Sequence, residues 1–143
     1  MFRHILVPIA FDAELPAEPS LEAAAKLAGP DTRVSILHVM EETPPLAINY
    51  VEPGYLATLR EGLRGELAGM AERFAHGTAL LLDGHPARTL VAWAEENGVD
   101  AVVMPSRARR GAAAYLLGST AAHVVRNAPC SVLVLRGAAA GMG

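Results

Sequence analysis

The stretch TALLLDGHPARTLVAWAEENGVDAVVMP, residues 78–105, decides the fold. Its opening TALLLD (78–83) and closing DAVVMP (100–105) are short apolar runs bounded by turn residues, which is how buried strands read. Between them, PARTLVAWAEEN (86–97) begins with proline at a permitted first-turn position and stops at Gly98, as a helix does. The unit is strand, helix, strand. Outward from it, HILVPIA (4–10), RVSILHVM (33–40) and CSVLVLR (130–136) repeat the strand pattern. Apart from RVSILHV, which alternates at its start, these runs are continuously apolar, the mark of strands covered on both faces in a parallel sheet.

Three further stretches have helical spacing. PSLEAAAKLA (19–28) ends at Gly29-Pro30, and STAAHVVRNA (119–128) opens with a capping serine and stops before Pro129. YLATLREGLRGELAGMAERFA (55–75) puts Leu56, Leu59, Leu63, Leu67, Met70 and Phe74 on one stripe by steps of three and four. Strand and helix alternate throughout, so the predicted class is α/β, an open, doubly wound, five-stranded parallel sheet with helices on both faces and right-handed crossovers. Its 143 residues suit one domain over 1–143, with the small-residue segment GAAAGMG (137–143) expected to be a flexible tail.

Composition narrows the function. Although 52% of the residues are apolar, no run reaches the roughly 18 residues of a membrane span, and the N-terminus enters a strand pattern at once, so neither an anchor nor a signal peptide is expected. A single cysteine, Cys130, allows no intrachain disulfide and fits a reducing compartment, hence a cytoplasmic expectation. The net charge of −3 argues against a general nucleic-acid surface, which leaves any anion chemistry to a local cluster.

Such sheets bind ligands beyond the carboxyl ends of their strands, where strand order reverses. The most informative loop there is SRARRGAAAYLLGST (106–120). On one reading, amides at Gly118, Ser119 and Thr120 open a helix toward an anion while Arg107, Arg109 or Arg110 add full charge. On the other, Ser119 caps its helix, Gly118 permits the turn and the arginines are solvated. Asp12, just past the first strand, suits a sugar hydroxyl, magnesium or a helix cap. Ser131 stands at the amino end of the last strand, and Cys130 reads as a small buried hydrophobe. Tyr115 suits either a hydroxyl donor or a packed ring. The loop from Glu41 to Pro53 is long enough for a lid or a partner surface. The five histidines form no zinc pattern, and neither a GxSxG elbow, a P-loop nor a GxGxxG is present. A phosphoacceptor receiver would need an acidic pair after the first strand, where the chain has Asp12 alone, and Asp83-Gly84 reads as a turn.

HILVPIA, SILHVME, GHPARTLVAWAEENGVDAVVMPS and YLLGSTAAHVVRNAPCSVLVLR together resemble the universal stress proteins, across nearly the whole chain. The resemblance implies an adenine nucleotide alpha-hydrolase-like sheet, a cytoplasmic stress-response role and, in some members, binding of ATP or another adenine nucleotide, with or without magnesium. The family's Gly-x2-Gly-x9-Gly-Ser/Thr pattern falls on Pro105, Ala108, Gly118 and Ser119, so two glycines are replaced. Ala10 stands where an aspartate is usual, with Asp12 nearby. The form YLLGS…CSVLV is similar to a subgroup of short members with these replacements, which is thought to keep nucleotide binding and to assemble beyond the dimer. The contacts so implied are Pro8, Ile9, Ala10, Asp12, Val39 and Met40 at the first two strands, and Met104, Pro105, Ser106, Arg107, Arg109, Gly118, Ser119, Thr120, Ser131 and Val132 beyond. Pairing of last strands through Val132, Leu133, Val134, Leu135 and Arg136 implies a homodimer, with a tetramer as a further state. The rival expectation is a nucleotide-free interaction module holding chloride or sulfate at the Gly118-Ser119 helix start. Weak ATPase or autophosphorylating activity ranks last, for want of a base, metal pair or lysine. No catalytic residue, metal, nucleic acid or membrane partner is expected.

Overall fold

The computed structural model describes residues 1–41, 52–107 and 117–136. Within them the chain runs β1 (His4–Pro8), α1 (Glu18–Leu27), β2 (Arg33–Met40), α2 (Tyr55–Ala71), β3 (His76–Asp83), α3 (Pro86–Glu96), β4 (Ala101–Ser106), α4 (Ser119–Asn127) and β5 (Ser131–Arg136). The five strands form one sheet in the order β3-β2-β1-β4-β5, and every pairing is parallel. The doubly wound sheet read from the sequence is the sheet observed. The expected tail 137–143 and the loop at 42–51 lie outside the described residues.

Alternation along the strands builds two cores. Ile5, Val7 and Ile9 join Val34, Ile36, Ala101 and Val103 on one face, beneath Leu21 and Ala24 of α1 and Leu67 and Ala71 of α2. Leu6, Leu37, Val39, Val102 and Met104 look the other way, onto Leu90 and Ala94 of α3 and Ala121 and Val124 of α4. Because both faces are covered, the strands read as unbroken apolar runs. Among the described residues no helix is long and apolar enough to cross a membrane.

Two boundaries depart from the sequence expectation. β1 stops at Pro8, because Phe11 takes a left-handed φ of 53° and turns the chain away. α2 stops at Ala71, because β3 then passes so near that a Cβ at Gly77 would collide with the Ala71 carbonyl, leaving no room for another turn. The predicted α2 stripe also divides. Leu67 is buried, with Met70 and Phe74 packed against that core, whereas Leu59 and Leu63 lie beyond it, at the carboxyl edge.

The amino end of the sheet is closed by polar contacts. The Asp100 carboxylate accepts the amides of Arg3 (2.8 Å) and His4 (2.9 Å). The buried His4 ring meets the Asn97 carbonyl through Nδ1 (3.0 Å) and Ser35 Oγ through Nε2 (2.7 Å), and Trp93 packs edge-on at 5.6 Å. Ser35 Oγ in turn contacts Thr78 Oγ1 at 3.2 Å, extending the network to β3. Burial lowers the His4 pKa from its ordinary 6.5, outweighing the Asn97 carbonyl that raises it. The unfolded chain therefore takes up this proton first. Stability attributable to neutral His4 is intact above pH 6.5 and declines as pH falls below it. Urea unfolding at pH 7.5 and 5.5 should show the native chain losing stability on acidification and His4→Gln losing less; equal losses would contradict a buried neutral imidazole.

Candidate functional site

Strand order reverses between β1 and β4. The chain leaves β1 for α1 on one face, and leaves β4 for α4 on the opposite face. The backbones diverge there and leave a crevice at the carboxyl edge. A cavity of about 720 Å³ occupies it, within the range of small-molecule pockets.

Most of the expected contacts converge on this cavity. Pro8, Ile9, Ala10 and Asp12 line it from the β1 end, Val39 and Met40 from β2, Met104, Pro105, Ser106 and Arg107 from β4, and Gly118, Ser119 and Thr120 from the start of α4. Ser131 and Val132 do not. They pair with Ala101 and Val102 at the amino end of β5, the opposite end of the strand from the cavity. Arg109, with Ala108, Arg110 and Tyr115, lies outside the described residues. The sequence reading missed Phe11, His38, Leu59, Leu63 and Leu90. The leucines were present in the sequence as apolar periodicity, which does not separate a core wall from a cavity wall, whereas Phe11 and His38 carry no such signal.

The start of α4 differs from both sequence readings. Gly118, not Ser119, is the N-cap, with an extended backbone (φ −64°, ψ 163°), and among the described residues no side-chain hydrogen bond caps the helix there. The Gly118 amide donates to Ser106 Oγ at 2.9 Å, so buried Ser106 fixes the helix start against β4. The following amides belong to the positive end of the helix dipole, and their residues Ser119 and Thr120 line the cavity.

Arg107 also has a role that composition did not reveal. Its guanidinium pairs with Asp12 through Nη2 and with Glu14 through Nη1, tying the end of β4 to the loop after β1. Asp12 Oδ1 accepts the Glu14 amide at 2.9 Å, and this bond, then Arg107, holds the Asp12 carboxyl below the usual carboxylate range. The Asp12 hydrogen bond and charge raise Arg107 above the ordinary guanidinium value. Deeper in, His38 Nδ1 donates to the Ile9 carbonyl at 2.6 Å and its ring meets Phe11 edge-on at 4.8 Å. That bond assigns the proton to Nδ1 and makes Nε2 the acceptor in the neutral ring.

Other marked residues serve structure. Asp83 is held by Arg60 through two bonds of 2.6 and 3.1 Å. Burial raises the Cys130 thiol, in keeping with a small hydrophobe. Among the described residues no group of three or more His, Cys, Asp or Glu could hold a metal ion.

With this geometry in place, the comparisons with known proteins agree. The model of the Universal stress protein family matches residues 1–136. The universal stress protein in the QAH/OAS sulfhydrylase 3' region of Thermus aquaticus is 31% identical over 143 residues, covering 95% of this chain and 100% of that protein. YxiE of Bacillus subtilis is 31% identical over 150 residues, with the same coverage. MJ0531 of Methanocaldococcus jannaschii is 41% identical over 56 residues, only 39% of this chain and 33% of that protein. Among solved structures, hypothetical protein MJ0577 has the same fold with a TM-score of 0.76 at 24% identity, covering 95% of this chain and 96% of that one. Two more share the fold: a universal stress protein in complex with cAMP (TM-score 0.67, 16% identity, 94% and 97% covered) and one from Archaeoglobus fulgidus in complex with dAMP (0.64, 21%, 92% and 96%).

Ser106→Ala tests the anchoring of α4. Losing the acceptor for a part-buried amide should cost about 1–3 kcal/mol in urea unfolding. A change under a few tenths would remove Ser106 from this role.

Proposed function

Because the chain belongs to the universal stress protein family, we propose that it binds an adenine nucleotide, ATP above all, in the cavity at the carboxyl edge of its sheet. The observation that carries this reading is the α4 N-terminus, which begins on Gly118 with no side-chain cap among the described residues, at the wall of a largely apolar cavity. The two parts suit the two halves of a nucleotide. Ile9, Val39 and Met40 offer apolar surface for the base, and the amides beyond Gly118 offer donors for phosphate. The cAMP and dAMP complexes of distant relatives support the adenine class. We read the protein as a cytoplasmic stress-response binding protein rather than an enzyme, since the carboxylates at the cavity mouth, Asp12 and Glu14, are both engaged by Arg107. That ion-pairing also favours a second reading, a small anion such as chloride or sulfate at α4 without a nucleoside.

Calorimetry with ATP, adenosine and sulfate, with and without magnesium, separates the two. The nucleotide reading expects ATP to bind best and Ser119→Glu to weaken it about tenfold or more, through a like charge at the phosphate position. Ser119 is exposed, and an acidic residue in the first helical turn suits the dipole, so thermal stability should hold or rise. ATP binding no better than sulfate would leave the anion reading in its place.

Partnering is proposed along the lateral edge of the sheet. β5 is an edge strand, and Leu133 is 42% exposed on it. An exposed apolar edge is a template for pairing with a second copy. We propose a homodimer through Val132–Arg136. Leu133→Lys should halve the mass measured by sedimentation; an unchanged oligomer would place the interface elsewhere.

A further inference from the structure

The cavity mouth carries a contact that the binding reading leaves unused. Asp12 and Glu14 sit in the loop after β1, and Arg107 follows β4, so their ion pairs cross the crevice where the two strands part. The loop is conformationally set: Phe11 is held at a φ of 53°, and Leu15 donates its amide back to the Asp12 carbonyl at 2.9 Å. On its other side, Arg107 packs against the start of α4. A Cβ placed on Gly118 would lie 3.4 Å from Arg107 Cβ and 3.5 Å from its amide nitrogen. A long, half-exposed guanidinium rooted between the acidic loop and the helix start has two partners of the same chemical kind within reach, carboxylates on one side and a ligand's phosphates on the other.

Resting on the nucleotide reading, we propose that Arg107 is a latch: its guanidinium holds Asp12 and Glu14 across the mouth of the cavity and passes to the phosphates when a nucleotide enters. The two carboxylates then compete with the ligand for one cation. They weaken phosphate binding rather than assist it, and Asp12 serves the latch instead of reading sugar or base. Both carboxylates are partly exposed, 34% and 67% at the side chain, so water receives them when the latch opens. An uncharged nucleoside gains nothing by opening it.

The test is calorimetry on the native chain, on Asp12→Asn/Glu14→Gln and on Glu14→Gln alone, with ATP, tripolyphosphate and adenosine as probes. Melting curves establish that each variant folds, and the single variant at the more exposed Glu14 remains informative if the double variant does not. The latch expects ATP and tripolyphosphate to bind about three- to tenfold tighter to the double variant, with a smaller gain for Glu14→Gln, while adenosine stays within about twofold. No tightening of either phosphate probe in a folded variant overturns it, as does equal weakening of ATP and adenosine, which would make Asp12 a nucleoside contact. The outcomes separate this proposal from the reading beneath it. If tripolyphosphate tightens but ATP binds no better than tripolyphosphate to any of the proteins, the latch stands and the nucleotide reading falls. If ATP binds best to the native chain but no variant gains, the reverse holds.

Discussion

β1 lies at the middle of the sheet with Ile5, Leu6 and Val7 wholly excluded from water, and these three point alternately to opposite faces. Each such side chain is worth about 1.5–3 kcal/mol only while it stays covered, so neither face can be left open. The chain meets this by sending its first two crossovers over one face and its last two over the other. The split between β1 and β4 is the consequence. The crevice at their carboxyl ends is therefore not a separate invention laid on the fold: closing it would mean uncovering one face of the central strand. A surface ion pair, at about 0–1 kcal/mol, is too weak to alter that choice and can only adjust what happens at the crevice mouth.

The two ends of the sheet treat their polar groups in opposite ways. At the amino end, the Asp100 carboxylate takes two backbone amides, and His4, Ser35 and Thr78 satisfy one another inside the structure. Burial alone would raise Asp100, but the Arg3 and His4 amides together bring it below the ordinary carboxylate value. At the carboxyl end, α4 begins on a glycine with no side-chain cap among the described residues, and the charged groups Arg107, Asp12 and Glu14 meet at the surface, within reach of water. Buried hydrogen bonds are concentrated where no ligand is expected, and water-exposed ion pairs lie where one is.

Much of this was legible in the sequence, for reasons that differ from element to element. Gly98, Pro129 and Gly29-Pro30 mark element ends by backbone geometry alone, and short unbroken runs such as HILVPIA, bounded by turn residues, read as strands covered on both faces. The position of the cavity followed from the topology. Local charge pairing did not, because Asp12 and Arg107 are separated by 94 intervening residues and meet only through the β1–β4 neighbourhood. Sequence alone leaves Arg107 either as a phosphate ligand or as a solvated side chain, whereas in the structure it has two carboxylate partners. Ser131 and Val132 were drawn to the site by resemblance, although strand direction puts them at its far end. Leu59 and Leu63 share the spacing of Leu67; only where each falls along α2 decides which leucine meets core and which meets cavity.

The replaced glycines make sense once donors are traced along the backbone. Pro105 has no amide hydrogen to offer, so the end of β4 contributes one donor fewer than a glycine there would. The donors lie one element later, at the start of α4. There the packing of the chain does not itself demand glycine: Gly118 has an extended backbone open to any residue, and an added Cβ would stand in ordinary contact with Arg107. What glycine does supply is a bare approach to the first-turn amides. Buried Ser106 anchors the Gly118 amide to β4, and Arg107 brings a charge to the same corner. With a donor lost from the strand end, the proposed anion binding would rest more heavily on the helix start and on a guanidinium shared with two carboxylates, and its strength would follow the state of that shared contact.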